Sequence, residues 1–387
     1  MSADPTSVPT EGLASADLQA CVALMRGGSK TFFAASRLLP PRVRAPAIAL
    51  YAFCRVADDC VDEAAERGST GAAGVAELTD RLDRIYAGTP ADLVEDHALS
   101  LVVQQHALPR PLLDALIDGF AWDAAQRRYE TLEEVHGYGA RVAGSVGAMM
   151  CWIMGPREAQ TLARACELGI AMQLTNIARD VGEDAALGRL YLPRAWMREA
   201  GIDADAWLAN PQPTPALRSV VARLLDEADR LYRQAQPGIA ELPADCRAAI
   251  CAASCIYAEI GHQLRRDGLD SVSRRTVVST PRKLMLLASA WTQSGWIYAQ
   301  PNPPQPLQAV RFLLEGCELS EAEAGLATAA IRGPGMFPNR AMPHRIEWLL
   351  ELFERRETVR REWHERRREP PRHRPQMARD ASHAEGA

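Results

Sequence analysis

The segment RVADDCVDEA, residues 55–64, places closely spaced acidic side chains directly after the apolar run APAIALYAF. Asp58 and Asp62 are four residues apart and would share one face of a helix, where like charges repel by roughly 0.2–0.5 kcal/mol. A cation bound between them would remove that repulsion. The pair therefore indicates a metal site, with a solvated helix end as the simpler alternative.

A second polar pattern lies in MQLTNIARDVGEDAALGRLYLP, residues 172–193. Its polar side chains follow one another at steps of three, four and four, which forms one stripe on a helix: Gln173, Asn176, Asp180 and Asp184. The preceding LARACELGIAMQ is apolar enough to be buried. A polar stripe on a buried helix costs free energy unless partners or ions satisfy it, so this stripe is predicted to face a cavity.

The two acidic motifs together favour Mg²⁺, with Mn²⁺ as a substitute. Mg²⁺ prefers oxygen ligands and is often held by one or two carboxylates plus the phosphate oxygens of a substrate. Either motif alone is weak support, because aspartates four residues apart are common on exposed helices. Two such motifs, one accompanied by Gln173 and Asn176 and the other by Arg55, are harder to explain without a metal ion.

The composition describes a globular chain with no sign of nucleic-acid binding. The 387 residues are 47% hydrophobic and carry a formal net charge of −5. The cationic residues are almost all arginines, since Lys30 and Lys283 are the only lysines. Arginine suits fixed, bidentate contacts with phosphate.

The N-terminal residues lack the charged and apolar regions of a signal peptide, and no apolar run reaches the roughly 18 residues of a membrane span. Nine cysteines without a CxxC pair are typical of reduced, buried thiols. We expect a cytoplasmic protein. Residues 354–374 hold nine arginines, five glutamates and Trp363, a composition that suits transient contact with an anionic membrane surface, although a solvated helix is the simpler interpretation.

Apolar residues recur at helical spacing along almost the whole chain, and alternating strand patterns are missing, so an all-α fold is predicted. The predicted helices are 14–26, 43–64, 73–87, 109–130, 131–154, 157–185, 215–236, 244–268 and 280–298. The proline-rich QPNPPQP, residues 300–306, predicts an extended connector. The predicted organisation is a disordered leader (1–13), a main helical domain (14–298), a C-terminal helical appendix (299–368) and a disordered tail (369–387).

Several segments together resemble one family, the squalene and phytoene synthases. They are GGSKTFFAASRLLP, LYAFCRVADDCVDE, YGARVAGSVGAMM, QLTNIARDVGEDAALGRLYLP and YAEIGHQLRRDGLDSVSRRTVVSTPRKL, within residues 15–298. The amino-acid sequences of these segments are most similar to those of the bacterial phytoene synthases. The resemblance implies a single-domain isoprenoid-synthase bundle around a central cavity, in which two isoprenoid diphosphates are joined head to head.

The resemblance also implies roles for individual residues. The Mg²⁺ ligands would be Asp58, Asp62, Asn176, Asp180 and Asp184, and the catalytic set would be those four aspartates with Tyr138 and Tyr257. The diphosphates would contact Gly28, Ser29, Lys30, Thr31, Tyr51, Arg55, Gln173 and Arg179. Asp59 would lie behind the metal ligands. Ser36 would line the channel for the isoprenoid tail.

The implied reaction condenses two geranylgeranyl diphosphates to phytoene through prephytoene diphosphate, in carotenoid biosynthesis and without NADPH. Contacts with other enzymes of that pathway are expected. One alternative is a squalene or dehydrosqualene synthase that acts on farnesyl diphosphate. Another is a non-catalytic lipid-binding or assembly protein on the same fold. Arg274, Arg275 and Arg282 either reach the phosphates or decorate the surface.

Overall fold

Helices form the regular structure of the chain in the computed structural model, which describes residues 15–28, 35–66, 71–298, 300 and 303–325. Within these ranges some side chains are not described, namely those of residues 15, 16, 28, 62–66, 296, 319 and 321–325. No strand occurs among the described residues. The predicted all-α fold is confirmed.

Fourteen α-helices are defined in the described part of the chain. They are α1 (Ser15–Gly28), α2 (Pro41–Glu66), α3 (Gly71–Tyr86), α4 (Val94–His106), α5 (Arg110–Ala124), α6 (Leu132–Gly139), α7 (Ser145–Met154), α8 (Ala159–Ala186), α9 (Arg194–Glu199), α10 (Ala204–Ala209), α11 (Pro215–Ala240), α12 (Ala244–Arg266), α13 (Thr280–Gln293) and α14 (Arg311–Gly325). A π-helical turn, Ala140–Gly144, joins α6 to α7, and Gln308–Val310 is a 3₁₀ turn before α14.

Within residues 14–298, α4 is the longest described helix that the periodicity did not predict. Its first turn carries Glu95 and Asp96, which are buried although they are charged. Both pair with the buried Arg81 of α3, at 2.8 Å for Glu95 and 2.5 Å for Asp96. These charged residues lie on the buried face of α4 and interrupt its apolar pattern in the sequence. Their burial depends on a partner in another helix, which the pattern within α4 does not reveal.

Helix α8 packs against α7, α11 and α12. Its backbone also lies very close to the backbone of the π turn, Ala140–Gly144, and of α7. A Cβ atom on Gly169 would lie 2.2 Å from the carbonyl oxygen of Ala143, and one on Gly147 would lie 2.2 Å from that of Ala165. Only glycine fits at such distances. The two glycines therefore fix the spacing between α8 and the chain segment from the π turn to α7.

The chain after the proline-rich connector packs against the same body. Val310, Leu313 and Cys317 are buried, and α14 contacts α5 and α8. All described residues belong to one compact unit. The leader and the segments 354–374 and 369–387 lie outside the described residues, and the predicted domain boundaries stay predictions.

None of the described helices combines the length and the apolarity that a bilayer crossing requires.

The close approach at Gly169 makes a prediction about stability. Gly169→Ala should lower the free energy of unfolding by about 1–3 kcal/mol, because the added methyl group meets a backbone carbonyl that cannot move aside. Gly27→Ala is the matched control: nothing lies within 4 Å of its Cβ position, so a helix-favouring alanine should leave stability unchanged or slightly higher. Urea denaturation of both variants measures the difference. Equal stabilities would contradict the close approach.

Candidate active site

An apolar cavity of about 310 Å³ lies among α2, α7, α8, α11 and α12. Its wall on α8 is one helical stripe made up of Thr161, Arg164, Ala165, Leu168, Gly169, Met172, Gln173 and Asn176. The first and last of these residues are fifteen positions apart, which corresponds to roughly 22 Å along the helix. The cavity is therefore long, apolar along most of its length and polar at the Gln173–Asn176 end.

The other walls repeat the same helical spacing. Helix α2 contributes Ala47, Leu50, Tyr51 and Cys54, and α12 contributes Ala249, Ile250, Ala253 and Tyr257. Ser36 and Leu39 line the cavity just before α2 begins, and the side chain of Ser36 is buried. Many of these side chains are small, which leaves space for a long apolar molecule between the helices.

Each acidic motif begins one turn after the last cavity-lining residue of its own helix. On α2, Asp58 follows Cys54 by four residues, and on α8, Asp180 follows Asn176 by four. Tyr257 of α12 also lines the cavity and lies close enough to Arg179 to affect its pKa. The acidic motifs are thus placed next to the cavity and not on unrelated surfaces.

Arginines neutralise the acidic residues of both motifs. Arg179 Nε donates to Asp180 Oδ1 at 2.6 Å, and Arg275 Nε donates to the same oxygen at 2.9 Å. Arg55 lies 2.5 Å from Asp59 and 3.6 Å from Asp58. These arginines place positive charge where a bound diphosphate could replace the carboxylates as the partner.

The three arginines that sequence analysis left open have different positions. Arg275 joins the second acidic motif through Asp180. Arg282 instead pairs with the buried Glu259, with Nε 2.8 Å from Oε1, and Arg274 Nη2 donates to the carbonyl oxygen of Asp267 at 2.8 Å. Of the three, Arg275 is therefore the candidate for phosphate binding.

Asp184 carries the clearest electrostatic signal for a cation. Burial, reinforced by the charges of Asp180, Asp123 and Glu183 and opposed by Arg189, raises the pKa of Asp184 to about 7. A carboxyl group that is desolvated and surrounded by like charges is stabilised in its ionised form by a metal ion. The oxygen-rich side chains at this end of α8 therefore fit a hard divalent cation.

The described side chains do not form a complete metal cage. No group of three or more histidine, cysteine, aspartate and glutamate side chains among them is arranged to hold a metal ion. The side chain of Asp62 is not among those described, although the residue lies within α2. The arrangement is compatible with Mg²⁺, which usually takes only one or two carboxylates and completes its shell with water and phosphate.

An aromatic cluster that sequence analysis did not foresee lies beside the second acidic motif. Asp123 accepts hydrogen bonds from the hydroxyl groups of Tyr138, at 2.8 Å, and Tyr191, at 2.6 Å. The two tyrosine rings stack with centroids 4.9 Å apart, and Tyr129 packs against both. Burial, followed by the charge of Asp123, raises the pKa of Tyr138 well above its usual value. Tyr138 therefore retains its proton.

Sequence reasoning missed Asp123 and Tyr191, although both lie in segments with a faint signal. Asp123 is an isolated acid near the end of the apolar GFAWDA, and Tyr191 follows the second acidic motif in GRLYLP. No spacing rule connects the two residues, because α5 and the chain after α8 meet only in the fold.

The sequence-predicted site residues fall into five groups. Those that line the cavity are Ser36, Tyr51, Gln173, Asn176 and Tyr257. Those at its acidic end are Arg55, Asp58, Arg179, Asp180 and Asp184, while Tyr138 belongs to the aromatic cluster and is not one of the cavity-lining residues. Gly28 is the last residue of α1. Ser29, Lys30 and Thr31 lie outside the described residues, as does the side chain of Asp62.

Comparisons with known proteins agree with this geometry. A sequence model of the squalene/phytoene synthase family matches residues 25–283. A phytoene synthase of Rhodobacter capsulatus is 54% identical over 72% of this chain and 82% of its own length. One of Cereibacter sphaeroides is 46% identical over 82% of this chain and 93% of its own length.

A solved structure supports the same grouping. The crystal structure of a dehydrosqualene synthase in complex with a ligand superposes with a TM-score of 0.67 at 31% identity, and covers 73% of this chain and 97% of that one. The helical fold, the cavity bordered by acidic motifs and the sequence similarity therefore point to one group, and the chain belongs to the squalene/phytoene synthase family.

Proposed function

We propose that the protein is a phytoene synthase, which joins two molecules of geranylgeranyl diphosphate head to head. The main support is the high identity to the two bacterial phytoene synthases over most of the chain. The long apolar cavity with acidic motifs next to it suits a substrate that has an isoprenoid tail and a diphosphate head. The product would enter carotenoid biosynthesis.

The metal would be Mg²⁺, or Mn²⁺ in its place, held by Asp58 and Asp62 of α2 and by Asn176, Asp180 and Asp184 of α8. The raised pKa of Asp184, which burial and the neighbouring carboxylates cause, supports this assignment. When bound, the metal offsets the negative charge of the departing diphosphate.

The residues of the chain then act mainly by binding and positioning. Arg55, Arg179 and Arg275 are placed to exchange their carboxylate partners for diphosphate oxygens, with Tyr51 and Gln173 beside them at the cavity wall. Ser29, Lys30 and Thr31 are proposed to contact the same groups. Fixed positive charge at the leaving oxygens stabilises the transition state for ionisation.

The reaction proceeds in two halves. In the first, one diphosphate leaves, the other substrate's double bond attacks the allylic cation, and loss of a proton gives prephytoene diphosphate. In the second, that diphosphate leaves, the skeleton rearranges, and loss of another proton gives phytoene. Two diphosphates and two protons are thus released for each phytoene, and no reductant is consumed.

The apolar wall protects the carbocations from water. Leu50, Leu168 and Ala253 line the cavity, and aliphatic side chains such as these keep water away from a bound tail. Tyr257 offers an aromatic face at the polar end, where a cation would be stabilised by the ring. Tyr138, bonded to Asp123, would support the active site from behind the lining.

The proposed setting follows from the chemistry of the substrates. Both the substrate tail and the hydrocarbon product are lipids, so we place the enzyme in the cytoplasm with transient contact at a membrane surface. Transfer of phytoene to other enzymes of the carotenoid pathway would occur there. The catalytic domain is proposed to span 14–298, with residues 299–368 as its appendix.

The metal assignment predicts that Asp58→Asn and Asp180→Asn abolish turnover with little change in helical content, since each substitution also removes like-charge repulsion. Asp226→Asn, an exposed residue paired with Arg265, is the matched control and should retain full activity. Release of inorganic diphosphate at saturating Mg²⁺ and circular dichroism provide the two measurements. Near-normal turnover in either site variant would reject the assignment.

The proposed chemistry predicts that NADPH does not change the product, because the central conjugated triene forms by proton loss. Purified protein should convert geranylgeranyl diphosphate and Mg²⁺ to phytoene with or without NADPH, as identified by chromatography and mass spectrometry. Parallel reactions with farnesyl diphosphate test the shorter substrate. Formation of a reduced hydrocarbon in the presence of NADPH would contradict the proposed function. Formation of a product from farnesyl diphosphate but not from geranylgeranyl diphosphate would also contradict it.

Ser36 lines the cavity and is 4% exposed, which leads to a prediction about chain length. Ser36→Phe should lower kcat/KM for geranylgeranyl diphosphate roughly tenfold to a hundredfold more than for farnesyl diphosphate, since the added ring fills space that the longer tail needs. Ser36→Ala, which removes the hydroxyl group without filling space, should keep the wild-type preference. An equal loss on both substrates would show that chain length is set elsewhere.

A further inference from the structure

A buried ion pair lies at the end of the cavity away from the second acidic motif. Arg164 and Glu167 of α8 are 4% and 0% exposed, and Arg164 lines the cavity beside Thr161. Arg164 and Asp180 are sixteen positions apart, or roughly 24 Å along the helix. A charged group thus borders the part of the cavity that the apolar tail of a substrate would reach last.

The guanidinium group of Arg164 is only partly satisfied. Its Nη2 donates to the carbonyl oxygen of Pro304 at 3.0 Å, whereas its Nε and Nη1 have no hydrogen-bond partner. Nη1 lies 2.9 Å from Glu167 Oε2, but outside hydrogen-bond geometry. The absence of a side chain at Gly238 makes room for Arg164. A Cβ atom on Gly238 would lie 2.4 Å from the Cβ atom of Arg164.

Residues 303–310, which we call the strap, hold the ion pair of Arg164 and Glu167 in place. The backbone N–H of Leu307 donates to Glu167 Oε1 at 3.0 Å, and Gln234 Nε2 donates to the same oxygen at 2.9 Å. Together with the bond from Arg164 to Pro304, these contacts tie the strap to both members of the pair. The strap lies after the part of the chain that matches the family model, residues 25–283.

We propose that Arg164, positioned by Glu167 and the strap, is a specificity-determining residue that limits the length of the isoprenoid tail. The inference rests on the proposed function, because it assumes that the cavity holds such a tail. It assigns the strap a role in substrate selection in addition to its packing.

The physical reason is that the Arg164 side chain is held in a fixed position. Its hydrogen bond to the carbonyl oxygen of Pro304 and its ion pair with Glu167 keep it against the cavity, so a tail that extends this far meets a side chain that cannot move without breaking those contacts. A tail that ends before Arg164 avoids that cost. A tail one isoprene unit too long is therefore rejected by lack of space and by the free energy needed to displace a buried ion pair.

The test measures binding, so that it does not depend on catalysis. Non-ionising thiolodiphosphate analogues with 15, 20 and 25 carbons are titrated into the full-length protein by calorimetry. The double variant Arg164→Met/Glu167→Gln removes the guanidinium group without leaving an unpaired carboxylate, and Glu167→Gln alone is its matched control. We expect the affinity for the 25-carbon analogue, relative to the 20-carbon one, to rise about tenfold in the double variant only.

A second pair of variants tests the strap. Leu307 has a φ of −53°, which proline can adopt, so Leu307→Pro removes the N–H donor to Glu167 with little change in backbone. Leu307→Ala keeps the donor and loses only the side chain. Relative to Leu307→Ala, Leu307→Pro should shift the same affinity ratio about threefold toward the longer analogue.

An unchanged ratio in both the double variant and Leu307→Pro, with circular dichroism showing folded protein, would overturn the inference. The proposed function fails in a different way: the wild-type protein would then bind the 20-carbon analogue no more tightly than inorganic diphosphate, or would form no phytoene. A shifted ratio in a protein that forms no phytoene would support the role of Arg164 and reject only the proposed reaction.

Discussion

The burial of α8 is the constraint on which the site depends. Most residues of this helix are buried, and the side chain of Asp180 is only 15% exposed. Its apolar half can therefore form a cavity wall, while a carboxylate such as Asp180 needs positive partners. Those partners are Arg179 and Arg275, whereas burial and neighbouring carboxylates raise the pKa of Asp184 to about 7. The same need makes the site selective for ligands that bring cations or displace those arginines.

The aromatic cluster extends this constraint beyond the cavity. Asp123 is held in place by two tyrosine hydroxyl groups, and its charge is one of the influences that raise the pKa of Asp184. The tyrosines are thus linked to the second acidic motif through a shared carboxylate. Substitution of Tyr138 or Tyr191 would remove a hydrogen bond to Asp123 and so alter the electrostatics of that motif.

The sequence was sufficient where one helix contained the whole pattern. The stripe from Gln173 to Asp184 could be predicted because all its members lie on α8. Ser36 lines the cavity, and its role beside the isoprenoid tail stays a prediction. Features that depend on two distant segments could not be predicted. Arg81 with Asp96, Asp123 with Tyr191, and the strap with Glu167 each join residues whose pairing is set only by tertiary packing.

The π turn at Ala140–Gly144 sets the orientation of the helix that follows it. An i→i+5 turn accommodates one residue more than an α-helical turn, so it changes the phase of everything after it by about 100°. With this phase, Val146 and Met150 of α7 line the cavity while Tyr138 of α6 faces Asp123. Loss of a single residue here would leave both helices intact but rotate the cavity-lining face of α7 away from the cavity. In this stretch, the number of residues therefore sets the orientation of the wall.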